Sequence, residues 1–453
     1  MPSQKPPHLI LGAGLAGLSA AYHLEESYDI FEAEPQVGGV ARSFTLDGFT
    51  FDHAIHVLYT KDPYATTLIR SLLQENFVEQ QRSSWIYSHD TFTPYPYQAN
   101  TYGLPDSVIH ENLIGLIEAR YKPQNDAITN FEEWTVATFG RGIAQNFMLP
   151  FNRKVWATEP SQMGFEWIAD RVILPNLDQI FLGAFQPSTT QFGPNAAFWY
   201  PRKGGTDALP RAFLPHLAPV RTEMRCVHID AHRHLLYFAN GENHGYETLI
   251  STLPLFKIIN LLSDVPPPIR ICATLLRANR VLTINLGIDR PNISDKHWVY
   301  FPEEKFEFHR ISFPMNFASG LVPAGTSSIM VEISESDTRI IERHGVLQRT
   351  IVQLIEAGIL QINDTVLCSK IVEIDPAYII YNREREQSVN AIQAYLQSLN
   401  IISCGRFGEW KYLNMDQAIL SGKRAAESAM SRSSEVKSND NTKGVPVHAF
   451  DKL

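Results

Sequence analysis

Gly12-Ala13-Gly14-Leu15-Ala16-Gly17 puts three glycines where chemistry needs backbone more than side chains. In a G-x-G-x-x-G, the first glycine makes a tight turn and the second lets the main chain approach a pyrophosphate. The third lets a helix pack closely on a strand. The apolar run His8–Leu11 reads as the strand before the turn, and Leu18 to Glu25 read as the helix after it. Free N–H groups at that helix start carry a positive partial charge suited to phosphate. Glu32 ends a second strand, Tyr28–Glu32, about 20 residues beyond Gly12, where a carboxylate accepts hydrogen bonds from an adenosine ribose. Together these predict a dinucleotide site with Gly12, Gly14, Gly17 and Glu32 as cofactor-binding residues.

The elements that must hold such a site follow from hydrophobic spacing. Residues 1–7 read as a loose arm. Apolar residues recur at helical intervals in Val108–Ile117 and Trp167–Leu182. Strand patterns return at Met224–Asp230, His234–Asn240 and Tyr246–Leu253. Ser263 to Pro268, ending in three prolines, is a stiff connector. After it, Val281–Leu286, His297–Phe301, His309–Phe313 and Ser328–Ile333 suggest an antiparallel sheet. Val346–Ala357 and Gln387–Leu399 read as amphipathic helices, Ile401–Cys404 as a last strand and Asp416–Met430 as a last helix. From Ser431 the chain is rich in Ser, Lys and Asn, and disorder is expected. The whole reads as a discontinuous α/β architecture with helical and sheet segments inserted into a nucleotide fold.

Composition narrows the function classes. At roughly 100–200 residues per domain, 453 residues should form two or three domains. Hydrophobic residues at 44% allow a sizeable core, yet no apolar stretch approaches the length of about 20 that spans a bilayer, which excludes an integral membrane protein. A net charge of −9 argues against nucleic acid as a partner. Cys226, Cys272, Cys368 and Cys404 form no CxxC pair and no zinc spacing with histidine. No metal is expected, and a reducing cytoplasm fits best.

Gly38-Gly39-Val40-Ala41-Arg42-Ser43 resembles the G-G-x-x-R-S element of the FAD-binding amine oxidase and protoporphyrinogen oxidase group. The glycines let a loop approach a diphosphate and Arg42 adds charge, although Arg42 alone could be a surface ion pair. The late helix from Asp416 offers N-terminal amides to a reduced flavin. This resemblance favours FAD over NAD.

Four later patches resemble the UDP-galactopyranose mutases of the eukaryotic type. They are Phe147–Trp156 with Trp167–Val172; Phe192–Asn195 with Tyr200–Thr206; Trp298–Glu303 with Arg310; and Gly405–Tyr412 with Asn414 and Asp416. The resemblance implies a discontinuous Rossmann-like FAD-binding domain (1–90, 196–265 and 366–430). It also implies an inserted, mainly helical substrate domain (91–195), an antiparallel β-sheet domain (266–365) and a disordered tail (431–453). The implied substrate is a nucleotide-diphosphate sugar. Arg171 and Arg310 are implied at its pyrophosphate, since guanidinium makes bidentate contacts with phosphate. Tyr378 and Tyr412 add hydroxyls. Asn152 and Asn195 lie near phosphates or sugar, Phe147, Trp156 and Tyr300 line the nucleotide pocket, and Tyr95, Tyr97 and Gln98 hold the base. Gly38, Gly39, Arg42, Arg406, Asn414 and Asp416 join the cofactor residues. His56 corresponds to a histidine close to the flavin.

Each residue also has a plainer reading. Arg171, mid-helix beside Asp170, could form a structural ion pair, and Arg310 could be a surface charge. Phe147, Trp156 and Tyr97 could be core, His56 a satisfied histidine, and Arg406 a cofactor or a substrate contact. The chain departs from the mutases at three places. Ala54 and Ile55 replace a glycine pair before His56, which should stiffen that loop. Phe317 replaces a Tyr, and Tyr378–Asn382 replaces a Y-P-T-P-T segment. The implied reaction interconverts pyranose and furanose forms of UDP-galactose or a related sugar nucleotide, with reduced flavin N5 as nucleophile at the anomeric carbon. NAD(P)H is a candidate reductant. The rivals are an FAD-dependent oxidoreductase of the amine oxidase or protoporphyrinogen oxidase kind, a mutase on another sugar nucleotide and a non-catalytic FAD-bound scaffold.

Overall fold

The computed structural model describes residues 8–121, 127–168, 171–187, 192–193 and 195–442. The fold is mixed α/β and divides into two compact units. The first comprises Met1–Gly39, Phe213–Ala273 and Val389–Leu453, the second Val40–Ala212 and Thr274–Ser388.

Four parallel strands run through the first unit in the order Tyr28–Phe31, His8–Leu11, Thr248–Ser251 and Ile401–Ser403. Leu9, Ile10, Leu249 and Ile250 are fully buried, as expected where a parallel sheet is covered on both faces. The helix Leu15–His23 packs on the closing helix Met415–Thr442. Gly422 allows this approach: a Cβ there would stand 2.1 Å from the Ala16 carbonyl oxygen. The Ser19 hydroxyl donates to the Ile419 carbonyl at 2.7 Å across the same contact. A small antiparallel sheet of Cys226–Asp230, Leu235–Phe238 and Asn243–Gly245 completes the unit.

The closing helix is longer than its sequence suggests. Disorder was expected from Ser431, yet the helix reaches Thr442. A helix already nucleated extends at little cost, and no proline or glycine interrupts it before Gly444. Residues 443–453 of the expected tail lie outside the described residues.

The second unit is organised by a seven-stranded sheet in the order Val366–Ile374, Arg280–Ile288, Ser327–Glu335, Arg310–Ser312, Trp298–Tyr300, Ser84–Ser88 and Thr91–Pro94. Neighbours are antiparallel except Trp298–Tyr300 with Ser84–Ser88, which are parallel, so the expected antiparallel sheet is mixed. One face is apolar: Ile284, Val331, Ile311 and Val299 are fully buried and cluster with Val346 and Leu354 of the Val346–Glu356 helix. The unit boundaries also fall elsewhere than the sequence suggested. Residues 40–90, 196–212 and 366–388 fall in the unit of the large sheet, to which Ser84–Ser88 and Val366–Ile374 contribute strands, and 266–273 fall in the first unit.

One helix expectation fails. Trp167–Leu182 is not one continuous helix, and among its described residues an α-helix forms only within Leu177–Phe185. Pro175 disfavours helical geometry in the residue before it and lacks an N–H. Asn176 then starts a new helix through a capping box with Gln179. Arg171 therefore lies on a turn, not mid-helix, and Asp170 lies outside the described residues. No helix among the described residues is long and apolar enough to cross a membrane.

Candidate functional site

In the first unit the expected glycines form a cradle. Gly12 has φ of +96°, and a Cβ there would stand 2.1 Å from Thr252 Oγ1. A Cβ on Gly17 would stand 1.9 Å from the Gly12 carbonyl oxygen. Gly14 is the N-cap of the Leu15–His23 helix and supplies no side chain to its free N–H groups. Gly14 also bridges to Gly38, whose N–H donates to the Ala13 carbonyl at 2.8 Å, and a Cβ on Gly39 would come within 3.3 Å of Gly14 Cα. Glu32, 8% exposed, accepts from the Ala13 N–H at 2.8 Å and the Glu34 N–H at 3.0 Å, so this acid also fixes the turn.

Arg406 turns out to hold its own loop. Its Nε and Nη2 donate to the Leu413 carbonyl at 2.9 and 2.6 Å, and its guanidinium lies 4.8 Å from the centre of the Tyr412 ring. Asn414 and Asp416 sit at the start of the Met415–Thr442 helix, where the Asn414 carbonyl accepts from the Ala418 N–H at 2.9 Å.

In the second unit, sheet register assembles side chains distant in sequence. Tyr300 faces Arg310, Arg310 faces Glu332, and Glu332 faces Thr283, all in one row across four strands. Side chains on neighbouring strands in one row share a face, so this polar row lies opposite the apolar one. Arg310 donates from Nε and Nη2 to Glu332 Oε1 at 3.0 and 2.8 Å, from Nη2 to Oε2 at 2.6 Å, and from Nη2 to the Tyr378 hydroxyl oxygen at 3.2 Å. It is thus no surface charge. Burial opposes ionisation of Glu332, but the Arg310 charge and His309 hold its carboxyl at about 2. Burial lowers His309 to about 4, leaving it neutral.

The helix Leu149–Trp156 brings Asn152 and Trp156 together: Trp156 Nε1 donates to Asn152 Oδ1 at 3.1 Å. The Trp156 ring lies 5.9 Å from that of Tyr378. Buried Asn279 ties this helix to the Tyr378 segment, donating to the Val155 carbonyl and accepting from the Tyr378 N–H, both at 2.8 Å. Lys154, also buried, donates to the carbonyls of Phe301 and Glu303 at 2.7 and 2.9 Å.

The expected base-holding residues form a graded aromatic series. Tyr97 stacks on Phe147 with centroids 4.9 Å apart, and Phe147 on Phe151 at 5.1 Å. Phe151 meets the Tyr300 ring at 5.0 Å, and Tyr300 meets Tyr95 at 5.5 Å. Tyr97 and Phe147 are buried, whereas Phe151, Tyr300 and Tyr95 are half-buried, so the accessible part of the series is its Phe151 end. Gln98 donates to the Ile173 carbonyl at 2.6 Å, close in sequence to Arg171. Asn195 accepts from Arg82, which also donates to the Phe192 carbonyl at 2.6 Å and lies over the Tyr95 ring at 5.1 Å. Pro194 lies outside the described residues.

His56 Nδ1 is 2.8 Å from the Ala54 carbonyl. Ala54 packs with Val281, Ile374 and Ala377, and Ile55 against Phe198, Trp298 and Phe317, so the residues standing in the place of glycines are both anchored. Beneath them, buried Asp52 accepts from the Ser43, Thr206 and Tyr200 hydroxyls at 2.6, 2.7 and 2.8 Å and from the Thr206 N–H at 3.0 Å. Burial raises its pKa against these donors. Arg42 Nε is buried without a hydrogen-bond partner, a donor that an anionic group would satisfy.

Glu332, Arg82, Asn279, Asp52 and Phe151 escaped the sequence reading. A local signal existed for Phe151 alone, one residue before Asn152. The others become visible only through register or burial. Among the described residues no cluster could hold a metal ion.

The sequence pattern of the flavin containing amine oxidoreductases matches residues 15–430. The chain belongs to that family. Among solved structures, a reduced UDP-galactopyranose mutase superposes with a TM-score of 0.90 at 28% identity, covering 94% of each chain. A candidate protoporphyrinogen oxidase of an Exiguobacterium species gives 0.72 at 16% identity over 94% of this chain and 99% of that one. A putrescine oxidase with putrescine bound gives 0.67 at 13% over the same shares, and these two show the fold alone. The mitochondrial protoporphyrinogen oxidase of Nicotiana tabacum is 38% identical over only 66 residues, 14% of this chain and 13% of that protein. A flavin amine oxidoreductase fold implies FAD. The glycine cradle and the helix start without a side-chain cap fit such a cofactor.

Proposed function

We propose that this flavoprotein is a mutase interconverting the pyranose and furanose forms of UDP-galactose or a related nucleotide sugar. The observation that carries the reading is the likeness to reduced UDP-galactopyranose mutase over 94% of both chains. The Tyr300–Arg310–Glu332 row agrees with it, because a guanidinium held in a fixed plane suits the oxygens of a diphosphate.

When bound, reduced FAD supplies an electron-rich N5 toward the anomeric carbon. The residues for the cofactor are Gly12, Gly14, Gly17, Glu32, Gly38, Gly39, Arg42, Arg406, Asn414 and Asp416. Arg310 binds the pyrophosphate. Its pairing with Glu332 engages Nε and Nη2, which locks the planar fork and leaves Nη1 as the remaining terminal nitrogen for an anion. Arg171 supplies the second charge, and the Tyr378 and Tyr412 hydroxyls add neutral donors. These groups keep the departing diphosphate close enough to recombine, which turns a bimolecular return into a local one. Asn152 and Asn195 orient the sugar and phosphates. Phe147, Trp156 and Tyr300, with Tyr95, Tyr97 and Gln98, form the nucleotide side, and His56 serves on the cofactor side. NAD(P)H is the proposed reductant. A cytoplasmic setting agrees with four free cysteines.

The test is one incubation. Chemically reduced protein is mixed with UDP-galactofuranose, and products are separated by chromatography beside an oxidised control. Conversion in the reduced sample only is the expected result. No conversion, with steady oxygen uptake on an amine or a porphyrinogen, would replace the mutase by an oxidoreductase.

A further inference from the structure

The back of the aromatic series is locked in an unusual way. Asn112, 1% exposed, donates from Nδ2 to the Tyr97 hydroxyl oxygen at 3.2 Å, and its Oδ1 accepts from Asn146 Nδ2 at 3.1 Å. Tyr97 itself is fully buried. Its ring is nearly parallel to Phe147, at 10°, and Phe147 is parallel to Phe151 at the same angle. One buried amide therefore fixes the rear ring of a three-ring stack whose front ring, Phe151, is half-buried and meets Tyr300 edge to face.

Three glycines bring Asn112 there. The helices Asp106–Tyr121 and Phe131–Ile143 touch backbone to backbone. A Cβ on Gly142 would stand 2.1 Å from the Glu111 carbonyl oxygen and 2.6 Å from Asn112 Cα. A Cβ on Gly140 would stand 2.0 Å from the Gly115 oxygen, and one on Gly115 would stand 2.7 Å from Gly142 N. Gly140 also has φ of +76°, which breaks the helix ahead of the wide π turn Ala144–Met148. That turn carries both Asn146 and Phe147, so the amide chain and the stack share one short segment. Such wide turns occur often at functional sites.

We propose that Asn112 is a positioning residue that pre-sets the aromatic stack for a planar nucleobase. The inference rests on the nucleotide-sugar reading and deepens it. A stack held before binding loses less side-chain freedom when a base settles on its front ring. Asn112 acts through Tyr97 and touches no ligand. Its contribution therefore concerns the base and not the diphosphate.

The experiment titrates holoprotein with UDP and, separately, with inorganic pyrophosphate by calorimetry. The proteins are wild type, Tyr97→Phe, Asn112→Leu and the double variant. The expected Kd for UDP rises about three- to tenfold in each single variant, the range of one buried hydrogen bond. The double variant should be no weaker than the weaker single one. Pyrophosphate affinity should stay within about twofold. UDP affinity unchanged in both singles overturns the inference, as does an equal loss for both ligands, which marks general loosening. Tyr97→Phe removes one oxygen only, so the test survives if Asn112→Leu fails to fold. Wild type that binds pyrophosphate but not UDP defeats the inference and leaves the diphosphate part of the parent reading. Wild type that binds neither defeats both.

Discussion

On the proposed reading the two units answer one problem, holding a phosphate-rich ligand, by opposite means. The first works by removing side chains. Gly12, Gly14 and Gly17 clear space for backbone N–H groups, and the elements that matter lie within about 25 residues of sequence, the size of one strand–helix–strand unit. The second works by adding side chains. Arg310, Glu332, Tyr300 and Tyr378 meet only because strands pair in a given register and Asn279 ties in a distant loop. A backbone cradle is intolerant of added atoms; a side-chain row is intolerant of removed ones. The variants below test that contrast.

The largest effect is expected in the cradle. Gly17→Val puts carbon where the Gly12 carbonyl stands, since even a Cβ would sit 1.9 Å from that oxygen. The turn must open, and purified protein should lose all bound flavin absorbance. Retained yellow colour at wild-type stoichiometry would show that the turn does not carry the cofactor.

Next comes the row. Glu332→Leu strands a buried guanidinium, and breaking one side of a buried pair costs about 3–5 kcal/mol. The same carboxyl predicts a pH signature. Its pKa is depressed from an ordinary 4.5 to about 2 in the folded state. The unfolded chain therefore binds the proton first as pH falls, and this stabilisation is complete above about pH 4.5 and lost toward pH 2. Denaturant midpoints measured across that window should fall less steeply in Glu332→Leu than in wild type. Equal slopes would mean that Glu332 is not ionised beside Arg310.

Arg310→Lys keeps the charge but not the fork. Lysine offers a compact point charge that cannot serve Glu332 and a phosphate in the same plane. Turnover in the furanose assay should drop about 100-fold, the scale of losing one preorganised donor, while the flavin spectrum stays unchanged. Activity within a few-fold of wild type would remove the guanidinium from the proposed chemistry.

This contrast also decides what could be read from the sequence. The first unit was legible because its information is local: the glycine motif, the strand before it and Glu32 announce one another. The strands of the large sheet were visible from alternation, but alternation gives no register, so the Arg310–Glu332 pair could not be foreseen. Resemblance supplied Arg310 without its partner. It also put Tyr97 and Phe147 at the base; in the structure both are buried and stack in series with the half-buried Phe151. The Trp167–Leu182 helix was misread because apolar spacing continued across Pro175, which outranks spacing.

Phe317 gives the smallest and sharpest test of the side-chain half. The resembling mutases carry a Tyr at this position. In the structure it is fully buried, stacked on His297 at 5.8 Å and packed against Tyr200 and Phe198 at 5.2 and 6.1 Å. His297, its pKa lowered to about 4 by burial, already gives Nδ1 to the Ser83 N–H at 2.9 Å. A hydroxyl added at Phe317 would enter an aromatic core whose polar rings are both engaged, His297 with Ser83 and the Tyr200 hydroxyl with Asp52, and an unsatisfied buried hydroxyl costs about 1–3 kcal/mol. Phe317→Tyr should therefore lower the thermal midpoint by several degrees and leave UDP affinity within about twofold. Tighter UDP binding without loss of stability would mean that the ring faces the ligand after all, and that this position belongs to the site and not to the packing beneath it.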